Sequence, residues 1–433
     1  MSGWPPANAA IQLFSVFIQT IRYTWSIFLG LTFLVLGNGL QGTLTGWRAT
    51  FEGFGPVVTG FVITGYSVGF LLGSFLTPTL VGRVGHIRVF AALASTASAS
   101  VLLQILYIDP TLWMLTRFIT GICFAGAYVI VESWLNARTD DRSRGQVLSI
   151  YMIVNFTSMA GGQWLLLLAN PARFDLFLVA SILLSLALVP VLISRIPAPE
   201  IELHQKMGVG ELMRHAPTGA WSLLLAGVAH GSLYGMGAVY AARAGMSVIE
   251  TAVFMSAFIL LGALLQWPVG WLSDRLDRRL VIAGAATLTL VMCALLLLLD
   301  LSGPLFVTAF GLLGGLSLTI YSLGVSSTND RLAPEQMVGA GATIALLWGS
   351  GAILGPPTIG WMLKVMDSDG FFVHLGITHL TIALIALFFL RRHTAPPQEE
   401  QVPFVAVAPR ATAVAMETVA QESEEAQLAN ESP

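Results

Sequence analysis

Two charged residues interrupt one long apolar run of the chain, and their types limit the chemistry that the run can support. Residues 111–136 carry Arg117 and, 15 residues later, Glu132, with no other Asp, Glu, Lys or Arg. An arginine at the middle of a helix in lipid costs roughly 3 kcal/mol, so it needs a partner or a water-filled cavity. Arg117 is therefore the first candidate for a functional site. The alternative is a structural arginine, paired with backbone carbonyls or with a neighbouring helix.

A second group of charges lies at residues 274–279, where five of six positions are charged. Apolar runs of spanning length, at residues 253–271 and 280–299, flank this group, which predicts a short loop at a membrane face. The composition agrees, since 55% of the residues are hydrophobic and 10% are charged, with a mean hydropathy of +0.77. Soluble domains carry roughly a quarter charged residues. The chain is predicted to be a multi-pass protein of a bacterial inner (plasma) membrane.

Twelve apolar segments follow one another along the chain, separated by short breaks. They lie at residues 25–45, 57–81, 89–108, 111–136, 146–169, 174–194, 220–242, 251–273, 280–299, 304–328, 339–363 and 371–390. The longest interior break divides them into six and six. The predicted fold is all-α, a polytopic membrane protein with two six-helix halves at residues 22–195 and 220–392, joined by a cytoplasmic linker at 196–219.

The two ends of the chain differ from its body. Residues 1–21 contain no basic residue, so the apolar run at 11–21 lacks the positive flank of a signal peptide and is predicted to be an interfacial lead-in helix. Residues 394–433 hold seven glutamates against one arginine. Residues 393–433 are therefore predicted to form a disordered, acidic cytoplasmic tail.

Basic residues are distributed unevenly among the predicted loops. With the N-terminus inside, sixteen of the 21 Lys and Arg residues fall in inner loops and termini, and four fall in outer loops. The excess of basic residues on one side predicts that both termini are cytoplasmic.

The two halves resemble one another in sequence. An offset of 192 relates Asn38 to His230 and residues 82–88 to the group at 274–279, and an offset of 193 relates residues 136–138 to 329–331. Agreement among three offsets indicates a duplicated six-helix unit, and parallel duplicated halves are typical of one large class of transporters.

Residues 270–279 resemble the signature loop of the major facilitator superfamily, Gly-x-x-x-Asp-Arg/Lys-x-Gly-Arg/Lys-Arg/Lys. Asp277 stands in place of the second glycine, and the first-half copy has Gly82 in place of the carboxylate. Arg117-x-x-x-Gly121 resembles the second signature of the superfamily. Residues 132–136 and 84–88 are similar to a bacterial subgroup, the YcaD-like transporters. The resemblance covers about residues 22–392.

The resemblance implies secondary active transport, with two halves that rock about a central site lined by spans 1, 4, 7 and 10. Arg117 would bind an anionic substrate group or couple substrate movement to proton movement, and His230 could relay a proton. The candidate substrate-binding or coupling residues are Arg117, Asn38, Gln41, Tyr128, Asn155, His230, Tyr234, Gln266 and Tyr321. For the uncharged residues, a structural hydrogen bond between helices is the alternative.

The same resemblance implies that charged loops hold the cytoplasmic side shut. The candidate gate residues are Arg83, Arg88, Glu132, Arg138, Arg144, Asp274, Arg275, Arg278, Arg279 and Arg331. Asp274 is expected near Gly145, at the start of the fifth span, where the helix dipole favours a carboxylate. Glu132 is expected to supply the negative charge that Gly82 lacks.

We therefore expect a secondary transporter of a small neutral or anionic organic solute. It would be coupled to protons and would act as a monomer in the lipid bilayer by alternating access. An efflux pump for hydrophobic toxicants and a non-transporting membrane sensor on the same scaffold remain as alternatives. No clustered metal ligands, nucleophile–base pair or Walker-type motif occur in the sequence, so neither a cofactor nor an enzymatic activity is expected. The net charge of -3 suggests no nucleic-acid partner.

Overall fold

The computed structural model describes residues 7–137, 144–193, 207–392, 401–408, 412 and 414–416, with the backbone alone for residues 7–23, 144, 334, 335 and 338. All regular elements in these residues are helical. The α-helices are α1 (Ala7–Phe51), α2 (Pro56–Val84), α3 (His86–Leu106), α4 (Pro110–Asn136), α5 (Arg144–Trp164), α6 (Asp175–Leu186), α7 (Leu188–Ile193), α8 (Val209–His215), α9 (Pro217–Arg243), α10 (Val248–Ser273), α11 (Arg278–Leu298), α12 (Gly303–Asn329), α13 (Pro334–Val365) and α14 (Asp369–Arg392).

Eleven stretches of the described chain are long and apolar enough to cross a membrane, with α6 and α7 together forming one of them. The remaining predicted span, at residues 146–169, corresponds to α5 and the 3-10 turn Leu165–Leu168. Polar residues such as Asn155 and Gln163 make α5 less apolar than the other spans, and both side chains are buried within the protein. The prediction of an all-α, polytopic membrane fold is confirmed.

The two predicted end segments are described only in part. Residues 7–21 belong to α1 and continue into the first span without a break. Within the predicted disordered tail, residues 401–408 lie against the helices, and Val402 and Val407 are buried. These two valines belong to a short apolar run in an otherwise polar tail. The predicted linker is described only from residue 207 and contains α8.

Glycines set the distance between α2 and α4 in the first half. Gly65, Gly69 and Gly73 recur every four residues along α2 and face α4. A Cβ atom at Gly69 would lie 2.0 Å from the carbonyl oxygen of Phe118, and one at Gly121 would lie 2.1 Å from that of Tyr66. Small residues at this spacing let helices in lipid pack backbone against backbone.

The two halves meet at one end of the bundle. We call this end, which carries the α1–α2 and α13–α14 turns, the Arg48 end, and we call the opposite end, with the α10–α11 loop, the Asp274 end. A Cβ atom at Gly60 would lie 2.5 Å from the carbonyl oxygen of Pro356, and one at Gly360 would lie 2.6 Å from that of Pro56. The halves are therefore in direct backbone contact at the Arg48 end.

Candidate functional site

A central cavity lies between the two halves, with a volume of about 60 Å³. Helices α1, α2, α4, α9 and α13 contribute its walls. Its polar and aromatic lining residues are Asn38, Tyr66, Ser67, Phe70, Ser74, Arg117, His230, Tyr234 and Trp348. Four of the nine predicted binding residues thus lie at one site, namely Asn38, Arg117, His230 and Tyr234.

Arg117 lies against the ring of Tyr66 in this cavity. Its guanidinium carbon is 4.5 Å from the ring centroid, a distance at which the ring face attracts a cation. The Tyr66 hydroxyl accepts a hydrogen bond from Asn38 Nδ2 at 3.2 Å. Gly121 lies one turn after Arg117 and allows α2 to approach, which brings Tyr66 within reach. Sequence reasoning missed Tyr66: Gly121 and the regular glycines of α2 indicate close packing of the two helices, but they do not indicate which residue of α2 faces Arg117.

His230 forms the centre of an aromatic group on the other wall. Its Nδ1 accepts a hydrogen bond from the Trp348 indole at 3.2 Å, and its Nε2 lies 3.1 Å from the carbonyl oxygen of Ser317. Because Nδ1 accepts a hydrogen bond and Nε2 faces a carbonyl oxygen, His230 is the neutral tautomer with its hydrogen on Nε2. Tyr321 packs its ring 6.4 Å from His230. Proton transfer through His230 would require Trp348 to move away first.

The other predicted binding residues are buried outside the cavity lining. Gln41 donates to Gln104 at 3.4 Å, and Tyr128 donates to Asn155 at 3.1 Å. The Tyr321 hydroxyl and both amide atoms of Gln266 are buried with no hydrogen-bond partner among the described residues. The tenth span was expected to line the site, but in the structure α12 supports the lining residues from behind through Tyr321.

The signature loop between α10 and α11 binds mainly within its own half. The buried Arg278 guanidinium lies 3.1 Å from Asp330 and 3.4 Å from Asp274. Arg279 pairs with Asp277 at 2.6 Å, and Arg275 stacks on Trp271 with its guanidinium carbon 3.9 Å from the ring centroid. The arginines therefore stabilise this loop and the end of α12.

Burial and neighbouring charges shift the pKa values of the loop carboxylates and of Arg331. Burial raises the pKa of Asp330 to about 6, although Arg278 opposes this shift. Burial alone would also raise the pKa of Asp277, but hydrogen bonds and charge from Arg279 hold it below its ordinary value. Burial and the neighbouring Arg279 lower the pKa of Arg331. The second-half loop is thus a partly desolvated charge network.

In the first half, Glu132 is buried and its carboxylate accepts a hydrogen bond from the Tyr151 hydroxyl at 2.5 Å. Its other oxygen accepts from the backbone nitrogen of Thr412 at 3.3 Å and from the Thr412 hydroxyl. Next to it, Ser133 bonds to His86 at 3.1 Å, and His86 stacks on Trp134 with the ring centroids 5.7 Å apart. These contacts join the two stretches that resemble the YcaD-like subgroup.

The remaining gate predictions are not tested by these contacts. Arg83 and Arg88 are exposed, while Arg138 and the side chain of Arg144 lie outside the described residues. Asp274 accepts from the backbone nitrogen of Phe404 at 2.9 Å, and its pairing with the start of α5 stays a prediction. Within the described parts of the chain, no three His, Cys, Asp or Glu side chains lie close enough to hold a metal ion.

Comparison with known proteins gives consistent matches over most of the chain. A family model described as Major Facilitator Superfamily matches residues 27–356 and 245–419. An uncharacterized MFS-type transporter YcaD from Escherichia fergusonii is 26% identical over 370 residues, covering 85% of this chain and 96% of the relative. An uncharacterized MFS-type transporter from Enterobacter sp. (strain 638) is 27% identical over 368 residues, covering 84% and 94%.

Two solved structures share the fold. The nucleoside transporter NupG superposes with a TM-score of 0.70 at 14% identity, covering 87% of this chain and 98% of that one. A bacterial homologue of the human lysosomal transporter Spinster, in an inward-facing and unoccupied conformation, superposes with a TM-score of 0.69 at 16% identity, covering 87% and 99%.

Proposed function

The chain belongs to the major facilitator superfamily, and its bacterial relatives are YcaD-like MFS-type transporters. We propose that it carries a small organic solute, anionic or neutral, through its central cavity. The observation that carries the proposal is the position of Arg117 in that cavity, opposite His230 and Trp348 of the other half. A site shared by both halves can change its exposure when they rock, as alternating access requires.

Arg117 favours an anionic group on the solute. Its side chain lines the cavity and lies beside the face of Tyr66. The planar guanidinium of arginine matches the geometry of carboxylates and phosphates, which bind it through two parallel hydrogen bonds. Aromatic rings of Tyr66, Tyr234 and Trp348 line the same space and favour an apolar or planar portion on the solute.

Orientation and coupling form the second part of the proposal. The sixteen basic residues on the Asp274 side of the chain support a cytoplasmic position for that end, with both termini inside. We propose a single chain as the working unit, with solute movement coupled to protons.

A binding measurement tests the choice of solute class. The purified protein is heated in detergent with carboxylates, phosphate esters, neutral polyols or lipophilic cations, because a ligand that binds the folded state raises the unfolding temperature. Carboxylates or phosphate esters are expected to stabilise the wild type. Arg117→Lys, which keeps the charge but loses the planar fork, should lose this response. Arg173→Lys, at an exposed loop arginine paired with Asp175, is the matched control and should keep it.

A transport measurement tests coupling. The protein is reconstituted in liposomes that contain a pH-sensitive dye, and the solutes that stabilise it are added outside. Solute-dependent proton flux supports the proposal, whereas flux with lipophilic cations alone would favour the efflux alternative. Silence with every solute would favour the sensor alternative. Full uptake by Arg117→Lys would remove Arg117 from the solute site.

A further inference from the structure

Residues 401–408 have no regular secondary structure and are held by the signature loop at the Asp274 end. The backbone nitrogen of Val402 donates to Asp330 at 3.1 Å, and its carbonyl oxygen accepts from Arg278. The backbone nitrogen of Phe404 donates to Asp274 at 2.9 Å. The Phe404 ring lies over Gly270, where a Cβ atom would be 2.3 Å from the ring. Four signature or neighbouring residues thus bind the tail.

Further along, the tail contacts the C-terminal part of α12, toward the Asp274 end. The Val407 nitrogen donates to the Ser322 hydroxyl at 3.1 Å, and that hydroxyl lies 3.4 Å from the Val407 carbonyl oxygen. Ser322 follows Tyr321, whose ring is 5.9 Å from that of Trp348 in the cavity wall. Val407 is 2% exposed and Ala408 is 5% exposed. The tail therefore packs against the helix that supports Trp348 of the cavity wall, on the side toward the Asp274 end.

The tail then contacts the first half. Thr412 bonds to Glu132 through both its backbone nitrogen and its hydroxyl. Ala415 lies beside Glu132, Val147 and Tyr151. Thr412, Ala415 and Met416 are all buried. The described tail residues thus contact α12 through Val407, and α4 and α5 through Thr412 and Ala415.

The two ends of the bundle differ in what lies between the halves. At the Arg48 end, the halves are in backbone contact at Gly60 and Pro356. At the Asp274 end, the tail lies between the halves and is held by hydrogen bonds to carboxylates and hydroxyls. The first cover can open when the halves rock, whereas the second requires a segment of chain to leave.

We propose that the described tail residues 401–408, 412 and 414–416, which we call the C-terminal plug, are an autoinhibitory segment that closes the central cavity at the Asp274 end. The plug must leave before a solute can pass between the cavity and the solution at this end. Closure of the cavity rests on the geometry, the side of the membrane from which it is tested rests on the proposed orientation, and the regulation of transport rests on the proposed function.

Cysteine accessibility tests the plug without any solute. In a chain with Cys123→Ala and Cys293→Ala, Ser74→Cys places one thiol in the cavity lining. Inside-out vesicles are treated with a membrane-impermeant maleimide, and the labelling rate is measured for the full chain and for chains that end at residue 400 or at residue 416. The chain that ends at 416 is the matched control, because it loses the acidic end but keeps the plug.

The chain that ends at 400 should label faster than the full chain by about tenfold or more, which corresponds to a plug docked by ~1.4 kcal/mol or more. The chain that ends at 416 should label at the rate of the full chain. Equal rates for all three chains would overturn the proposal. So would an equal increase in the chain that ends at 416.

A point variant covers the case in which the shortest chain does not fold. Val407→Asp keeps the full length but places a carboxylate at a buried apolar position, so it should release the plug and speed labelling to the same extent. Unchanged labelling of Val407→Asp would contradict the proposal. If this variant labels quickly but transports no solute in liposomes, the plug stands and the proposed function fails.

Discussion

Replacement of Gly121 by alanine should separate α2 from α4 at the level of Arg117. The added Cβ atom would lie 2.1 Å from the Tyr66 carbonyl oxygen and 2.8 Å from the Phe70 nitrogen, whereas ordinary contacts begin at 3.4 Å. The helices must therefore part by about 1.3 Å at this level, the difference between 3.4 Å and 2.1 Å. Both opposing atoms belong to helix backbone, so no rotamer change relieves the clash. Overpacking of this kind typically costs about 1–3 kcal/mol.

The displacement would also move Tyr66 away from the Arg117 guanidinium, which now lies 4.5 Å from the ring centroid. The attraction between a buried cation and an aromatic face is about 0.5–2 kcal/mol, and part of it would be lost. Gly121→Ala should therefore lower both the unfolding temperature and the stabilisation by an anionic solute.

The assay is thermal unfolding in detergent, followed by tryptophan fluorescence, with Gly284→Ala as the matched control. A Cβ atom at Gly284 on α11 meets nothing within 4 Å, and alanine is the better helix former, so this control should be as stable as the wild type or more so. Gly121→Ala should unfold lower by about 2 °C or more. If the two variants unfold at the same temperature, the close backbone contact does not position Tyr66, and the reasoning is refuted.

Two further predictions concern the second half. Trp348→Phe removes the indole donor to His230, so the free energy of unfolding in denaturant should fall by about 1 kcal/mol, while Trp221→Phe, at a partly exposed position, should change it less. Burial raises the pKa of Asp330 from 3.8 to about 6, so the folded chain holds this proton more tightly than the unfolded chain does. The stabilisation from Asp330 is therefore fully present below about pH 4 and is lost as the pH rises through about 6. Unfolding temperatures across this range should fall for the wild type relative to Asp330→Asn, and parallel curves would contradict the shift.

The helical fold could be predicted because the relevant signals are local. Apolar runs of spanning length and charged breaks define the helices one by one, and the paired offsets between the halves define the duplication. The α5 span was the least apolar, since it buries Asn155 and Gln163 among other helices rather than facing lipid.

The cavity could be predicted only in part. Arg117 and His230 stand out because polar groups in an apolar helix are costly, and both line the cavity. Tyr66 does not stand out, because an aromatic residue in an apolar run is ordinary. Gln41 and Tyr128 stand out equally but bond within the first half. Which polar group faces the cavity depends on helix rotation, which contacts between distant parts of the chain determine.

The contacts of the tail could not be predicted from the sequence either. Its glutamates predict disorder, and the apolar run at residues 402–407 is a small part of that polar composition. The partners of this run, Asp274, Asp330 and Ser322, lie on α10, α12 and the loops that follow them, 72 to 130 positions earlier in the chain. No local pattern links the two.

The seam at the Arg48 end has a practical consequence for trapping conformations. At Gly60 and Gly360, backbone meets backbone across the two halves, and Thr64 adds a hydrogen bond to the carbonyl oxygen of Ile353 at 3.1 Å. Since the three atoms nearest to an added Cβ at each glycine belong to the backbone of the other half, a methyl group at either position would push the two halves apart. Alanine at both positions would shift the population toward the state that is open at this end. The seam thus offers two sites at which the conformational equilibrium can be biased for imaging without altering the cavity lining.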